Sequence, residues 1–161
     1  MTKKILIAYM THSGNTRAIA NIIHNVIGGI TFEIQPEVPY PNSYNAVVEQ
    51  AKKEIKAGYR PALKTDLNSI EAYDTIFIGS PNWWSTIAPP ITTFLSAHDW
   101  SRKTVVPFCT HGGGGKGQII KDIAKLCPGA TVLGGIDVFG RGSRDTQAKV
   151  SAWLANLGIS N

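Results

Sequence analysis

The sequence predicts an α/β protein built on a doubly wound parallel sheet of five strands in the order 2-1-3-4-5, with helices on both faces. Three observations lead there. Apolar strand-like runs alternate with segments of helical period from one end of the 161 residues to the other, and right-handed crossovers then lay helices across both faces of a parallel sheet. The first and third runs are apolar throughout, as strands buried on both faces must be, whereas the second alternates apolar with polar and belongs at an edge. Finally, the three segments of unusual composition follow the first, third and fourth runs, which this order makes neighbours. They therefore meet beyond the carboxyl ends of the strands, where open α/β sheets bind ligands.

Ile5-Leu6-Ile7-Ala8-Tyr9-Met10 is the first strand. After the loop behind it, Ile19, Ile22, Ile23, Val26 and Ile27 recur at helical spacing, and Gly28-Gly29 stops that helix. Ile30, Phe32 and Ile34 then alternate with Thr31, Glu33 and Gln35 in a strand wet on one face, which Pro36 ends. Residues 36–61 are polar and proline-bounded, with a charged helix over 44–56 whose Val47, Val48, Ala51 and Ile55 face inward. Thr75-Ile76-Phe77-Ile78-Gly79 is a fully buried strand, and a helix over 89–97 turns Ile91, Phe94 and Leu95 inward. A fourth strand covers 104–109, and a glycine-rich loop leads from it to a helix carrying Ile119, Ile120, Ile123 and Leu126. The last strand lies near 131–133, and the closing helix presents Val150, Trp153, Leu154 and Leu157.

A composition of 43% hydrophobic and 17% charged residues suits one domain over residues 1–161 with a substantial core. The apolar run near the start, residues 5–10, is too short for a signal-peptide core or a membrane span, so a cytoplasmic protein without membrane attachment is expected. Cys109 and Cys127 have neither C-x-x-C spacing nor histidines placed as zinc ligands, which leaves buried thiols rather than a disulfide or a metal site. The net charge of +5 is uneven: residues 1–99 balance eight Lys or Arg with eight Asp or Glu, whereas residues 100–161 set eight against Asp122, Asp137 and Asp145. Such a surface suits an acidic redox partner or a phosphorylated cosubstrate, or is simply a solvated helix face. No arginine-rich or aromatic-basic pattern points to nucleic acid.

The first unusual segment is Thr11-His12-Ser13-Gly14-Asn15-Thr16, a hydroxyl-rich loop between an apolar strand and an amphipathic helix. A helix N-terminus offers unpaired N–H groups and the positive end of its macrodipole; Thr11, Ser13 and Thr16 add hydroxyls, and Gly14 lacks the Cβ that would hinder close approach. A phosphate monoester is seated there by hydrogen bonds without a cation. The competing reading is an ordinary helix cap.

The second, Gly79-Ser80-Pro81-Asn82-Trp83-Trp84-Ser85-Thr86-Ile87-Ala88-Pro89-Pro90, places two tryptophans off any periodic face. Indoles stack on planar heterocycles, although tryptophans also plug cores; one of the pair is expected to do each. The third, Thr110-His111-Gly112-Gly113-Gly114-Gly115-Lys116-Gly117, fails as a P-loop, because Gly117 stands where the magnesium-binding Ser or Thr would be. It fits G-x-G-x-x-G at Gly112, Gly114 and Gly117, with Asp137 twenty residues further on. It also suits a bare backbone that approaches a flat ring and bonds its polar edge, or a purely conformational use of glycine.

With these three segments the chain resembles the flavodoxin family, in particular a bacterial flavodoxin-like group with S/T-x-[ST]-G-N-T, then G-x-P-x-W-W, then a glycine-rich loop after P-F-x-T. Here they read Thr11-His12-Ser13-Gly14-Asn15-Thr16, Gly79-Ser80-Pro81-Asn82-Trp83-Trp84 and Pro107-Phe108-Cys109-Thr110. The resemblance implies a flavodoxin-like fold and a non-covalent FMN. Its phosphate would lie on Thr11, Ser13, Gly14, Asn15 and Thr16, with His12 beside it. The ring and ribityl would meet Pro81, Asn82, Trp83 and Trp84, and the ring's polar edge Thr110, His111, Gly112 and Gly113. His12 and His111 depart from the small polar residues expected there, and the positive charge departs from the acidic character of flavodoxin electron carriers.

A protein of this kind orients a flavin and tunes its potential, with no catalytic residue of its own. The expected role is low-potential electron transfer through the flavin's three oxidation states, with redox proteins as partners. An NAD(P)H-dependent reductase acting on quinone-like acceptors is the alternative, and a flavin-free phosphoester-binding module the second. His111 as imidazolium near the ring would raise the potential of the reduced flavin; as a capping residue it would not. Arg141 and Arg144, after the last strand, suit either contact with a partner or with a cosubstrate phosphate, or a plain turn before Asp145.

Overall fold

The computed structural model describes residues 4–159. Strands β1 (Ile5–Tyr9), β2 (Ile30–Glu33), β3 (Thr75–Pro81), β4 (Thr104–His111), β5 (Thr131–Val132) and β6 (Ile136–Phe139) form one sheet in the order β2-β1-β3-β4-β5, with β6 also on β4 and every pair parallel. The order is the one read from hydropathy. Helices α1 (Asn15–Ile27), α2 (Tyr44–Ala57), α3 (Pro89–Ser96), α4 (Ile119–Leu126) and α5 (Thr146–Asn156) complete it.

Strand periodicity of two divides the core between the faces. Leu6, Ala8, Ile76, Ile78, Val105 and Cys109 pack with Val47 of α2, Ile91, Phe94 and Leu95 of α3, and Ile119 and Ile123 of α4. Ile5, Ile7, Tyr9, Phe77, Val106 and Phe108 pack with Ile19, Ala20 and Ile23 of α1 and Val150 and Leu154 of α5. Helices thus cover both faces. Cys109 and Cys127 are free and buried, and burial pushes both thiols up to about 12. Among the described residues no helix is long and apolar enough to cross a membrane.

Three departures from the sequence reading have local causes. The fifth position in the sheet is held by two short pieces, because the register runs from Val105↔Val132 to Phe108↔Ile136, one residue longer on the edge than on β4. This bulge lies opposite Pro107. The carbonyls of Val105 and His111 accept from the edge amides of Leu133 and Gly140, so Pro107, of the same parity, lacks its N–H on that side, and the bulge removes the demand for it. A Cβ on Gly135 there would lie 2.7 Å from Ile120 and 2.9 Å from the Pro107 oxygen.

Secondly, β2 alternates only in part: Ile30 is 57% exposed and lies beyond the cluster that Phe32 and Ile34 join. Thirdly, β3 and β4 run further than 79 and 109, because they keep pairing through Pro81↔Thr110. Ser80, Pro81, Thr110 and His111 are therefore held by the sheet and not by loops.

Candidate functional site

The carboxyl ends of β1, β3, β4 and β6 open onto a cavity of about 460 Å³, within the range of roughly 300–1,000 Å³ usual for small-ligand sites. It lies over the switch point between β1 and β3.

The floor at β1 is the first turn of α1. Gly14 is its N-cap at φ +93°, a left-handed conformation that suits glycine, and no side chain caps the helix. Thr11 Oγ1 accepts from the Gly14 amide at 3.0 Å, which closes the loop and leaves the amides of Asn15, Thr16 and Arg17 without an intrahelical acceptor. Ser13, Asn15 and Thr16 line the cavity. The buried Thr16 hydroxyl bonds the Thr110 hydroxyl at 2.8 Å, tying α1 to the end of β4. In such a pair one hydroxyl donates to the other, and the second keeps its own proton available.

The second wall is a tight hairpin. Trp83 and Thr86 exchange N–H···O bonds of 3.1 Å each, and the two residues between them, Trp84 and Ser85, sit at φ +56° and +67°. This is type I′ geometry, normally built from Asn-Gly, and two non-glycine residues in it store roughly 1–3 kcal/mol each. The neighbours impose the strain. Asn82 Oδ1 accepts from the Ser85 amide at 2.8 Å, the Gln118 amide donates to the Ser85 carbonyl at 2.6 Å, and Asn82 Nδ2 donates to the Gly115 carbonyl at 2.7 Å. A Cβ on Gly117 would lie 2.7 Å from the Ser85 oxygen. The tryptophans do not divide cleanly between core and site: both line the cavity, Trp83 while also packing on the core, edge-on to Tyr40 at 4.9 Å, and Trp84 while 50% exposed. Trp84 Nε1 donates to the Val48 carbonyl, and Lys52 Nζ stands 5.3 Å from its ring.

The third wall is the end of β4 and its loop. His111 Nε2 donates to Asp137 at 3.1 Å while Nδ1 accepts from the Gly113 amide at 3.0 Å. A nitrogen that accepts is unprotonated, so this is the neutral Nε2–H tautomer. Asp137, the residue a dinucleotide fingerprint would aim at ribose, is thus bonded to His111.

Of the residues expected at the site, the structure brings His12, Ser13, Asn15, Thr16, Pro81, Asn82, Trp83, Trp84, Thr110, His111 and Gly112 to one cavity. Three do not line it. Thr11 faces the adjoining hollow beside Glu33 and Gln35 and accepts from the Gly14 amide; Gly14 supplies the turn; Gly113 is bound to His111. His12 donates from Nε2 to the Pro41 carbonyl at 2.9 Å, a bond that anchors the 36–43 segment.

Sequence reasoning missed Tyr44 and Gly140 at the cavity and assigned Val47, Val48 and Ala51 to the core alone. The signal was the adjacent pair Val47-Val48, a stripe too wide for one buried helix face.

The profile of a family described as flavodoxin matches residues 4–157. No curated protein matches the chain. Among solved structures, a candidate flavoprotein of Bacteroides uniformis is 31% identical over 96% of this chain and 99% of its own, with a TM-score of 0.84. A candidate flavoprotein of Bacteroides eggerthii is 29% identical over 99% and 100%, with a TM-score of 0.85. A flavoprotein of Lactobacillus acidophilus in complex with FMN is 23% identical over 94% and 99%, with a TM-score of 0.72. At that identity the likeness speaks to the fold.

Proposed function

The chain belongs to the flavodoxin family, and from that membership we propose that it holds FMN in the cavity over β1, β3 and β4 and serves as a cytoplasmic, low-potential electron carrier. The observation that carries the reading is an uncapped helix N-terminus and a strained tryptophan hairpin facing one cavity. The similar fold of Lactobacillus acidophilus is one that takes FMN.

The residues present fit the group. Unpaired first-turn amides, the Ser13 hydroxyl and the Thr16–Thr110 pair form a hydrogen-bonding cradle suited to a phosphate. Indole rings beside Tyr44, Val47 and Val48 form an apolar wall suited to a flat heterocycle, and Gly112 leaves backbone bare at the polar side. When bound, FMN supplies the one- and two-electron chemistry. The chain's own work is to orient and to exclude water: Asn82 locks the hairpin to the glycine-rich loop, and Trp84, pinned to α2, closes the side. His111 holds a proton at Nε2 against Asp137 and can take a second at Nδ1 only by releasing Gly113.

The basic residues of 100–161 favour an acidic redox protein as partner. Anaerobic titration of the FMN-loaded protein with NADPH, with and without a flavodoxin reductase, tests the role. Reduction that depends on the reductase is expected. Steady consumption of NAD(P)H by the protein alone would make it a reductase of small acceptors, the reading that Lys52 beside the ring of the cavity-lining Trp84 favours.

A further inference from the structure

We infer that Arg141 is a cationic ligand for the phosphate of the flavin, giving the site charge-based selection for the phosphorylated cofactor. The inference rests on the FMN reading above and adds a residue from the β6–α5 connection to a cradle that otherwise consists of neutral groups.

The connection is built to present this side chain. Gly140 lines the cavity at φ +58° and its amide donates to the His111 carbonyl at 2.8 Å. On the other side Gly142, at φ +88°, donates to the Phe139 carbonyl at 3.1 Å, and a Cβ on it would lie 2.4 Å from Thr146 Oγ1. The backbone is therefore fixed before and after Arg141, while the side chain reaches across to α1. Its Nη2 lies 3.7 Å from where a Cβ on Gly14 would be.

Arg141 is exposed, and the end of α1 that it meets is the positive one. Gly14 is the N-cap of α1, the first turn of the helix has no acidic residue, and no side chain caps it, so the guanidinium faces the positive end of the macrodipole and unpaired N–H groups. Among the described residues no carboxylate pairs with Arg141, whereas Arg17 on the same helix is bonded to Glu33 at 2.7 Å. An anion between Arg141 and the helix reverses the sign of both interactions. A phosphate monoester meets the amides of α1 on one side and the planar guanidinium on the other, and guanidinium matches phosphate oxygens in a bidentate fork. The shared chemistry could come from the flavin or from a diffusible dinucleotide; the position of Arg141 next to Gly140, which lines the cavity, and over the N-cap that precedes the cavity-lining Asn15 and Thr16 assigns it to the flavin.

Fluorescence titration of the flavin-free full-length chain with FMN and with riboflavin, at low and high sodium chloride, tests this. Arg141→Gln should weaken FMN binding by about ten- to a hundredfold, the usual loss of a charge-assisted hydrogen bond, and leave riboflavin binding unchanged. It should also remove most of the salt dependence of FMN binding, and Arg141→Lys should restore part of the affinity. Equal weakening of both flavins, unaltered FMN affinity, or a wild-type protein that binds riboflavin as tightly as FMN would overturn the inference while leaving the flavin site standing. So would an Arg141→Gln variant that keeps its FMN and loses affinity for NADP⁺ but not for NAD⁺. A wild-type chain that binds neither flavin would overturn the FMN reading itself, and this inference with it.

Discussion

His111, the last residue of β4, donates from Nε2 to Asp137 of β6 across 3.1 Å, and its other ring nitrogen is occupied by the Gly113 amide. The imidazole thereby ties the glycine-rich loop to β6. Lys149 Nζ donates to the Asp137 carbonyl at 3.3 Å, which joins α5 to the same network.

His111→Ala should lower the reduction potential of the bound flavin, because it strips the Asp137 carboxylate of its N–H partner beside the site. The difference should be on the order of tens of millivolts, about 59 mV being a tenfold effect for one electron. Potentiometric titration at several pH values reads it; identical curves for variant and wild type would remove His111 from the tuning of the flavin.

Asn82→Ala deletes the side-chain bond that joins the hairpin to the Gly115 carbonyl of the glycine-rich loop and the one that holds the Ser85 amide within the hairpin. Denaturant unfolding should show a loss of roughly 1–3 kcal/mol, accompanied by weaker FMN binding. A variant as stable as wild type would mean that the loops hold their places without the clip.

Ser85→Gly relieves one left-handed position without touching the bonds made by the Ser85 amide and carbonyl. It should stabilise the flavin-free protein by about 1 kcal/mol. Thermal melts that show no gain would locate the strain at Trp84 alone.

Alkaline stability should reflect the thiols. Folded Cys109 and Cys127 are pushed from 9.0 up to about 12 by burial, the Asp137 carboxylate adding to the effect at Cys109 and Lys116 opposing it. The unfolded chain therefore loses these protons first, so their contribution is complete below pH 9 and declines as the pH rises toward 12. Between pH 8 and 10.5 the melting temperature of wild type should fall more steeply than that of a Cys109→Ala/Cys127→Ala variant. Parallel slopes would contradict the burial of the thiols.

Strand order was legible because central parallel strands are apolar on both faces, as residues 5–9 and 75–79 are, and those residues settled where the ligand-binding loops converge. The anion loop and the tryptophans were legible for a related reason: hydroxyls, glycine and paired indoles are out of place in ordinary turns. What was hidden depends on contacts between distant segments. The roles of Asn82 and Gly113 as fasteners, and of Thr11 in closing the loop before α1, are set by which groups happen to face them. The part of Tyr44 and Val48 depends on where α2 crosses the sheet, which periodicity within that helix does not encode. The split edge strand was foreshadowed by Pro107 and Gly135, but only their meeting across β4 gives the pair its meaning.

Gel filtration of the purified full-length chain after addition of FMN is the most direct test of the flavin site. About one FMN should travel with each chain, and a Ser13→Ala/Thr16→Val variant, stripped of cradle hydroxyls, should retain far less. A colourless wild-type protein, with all the FMN eluting as a free small molecule, would contradict it.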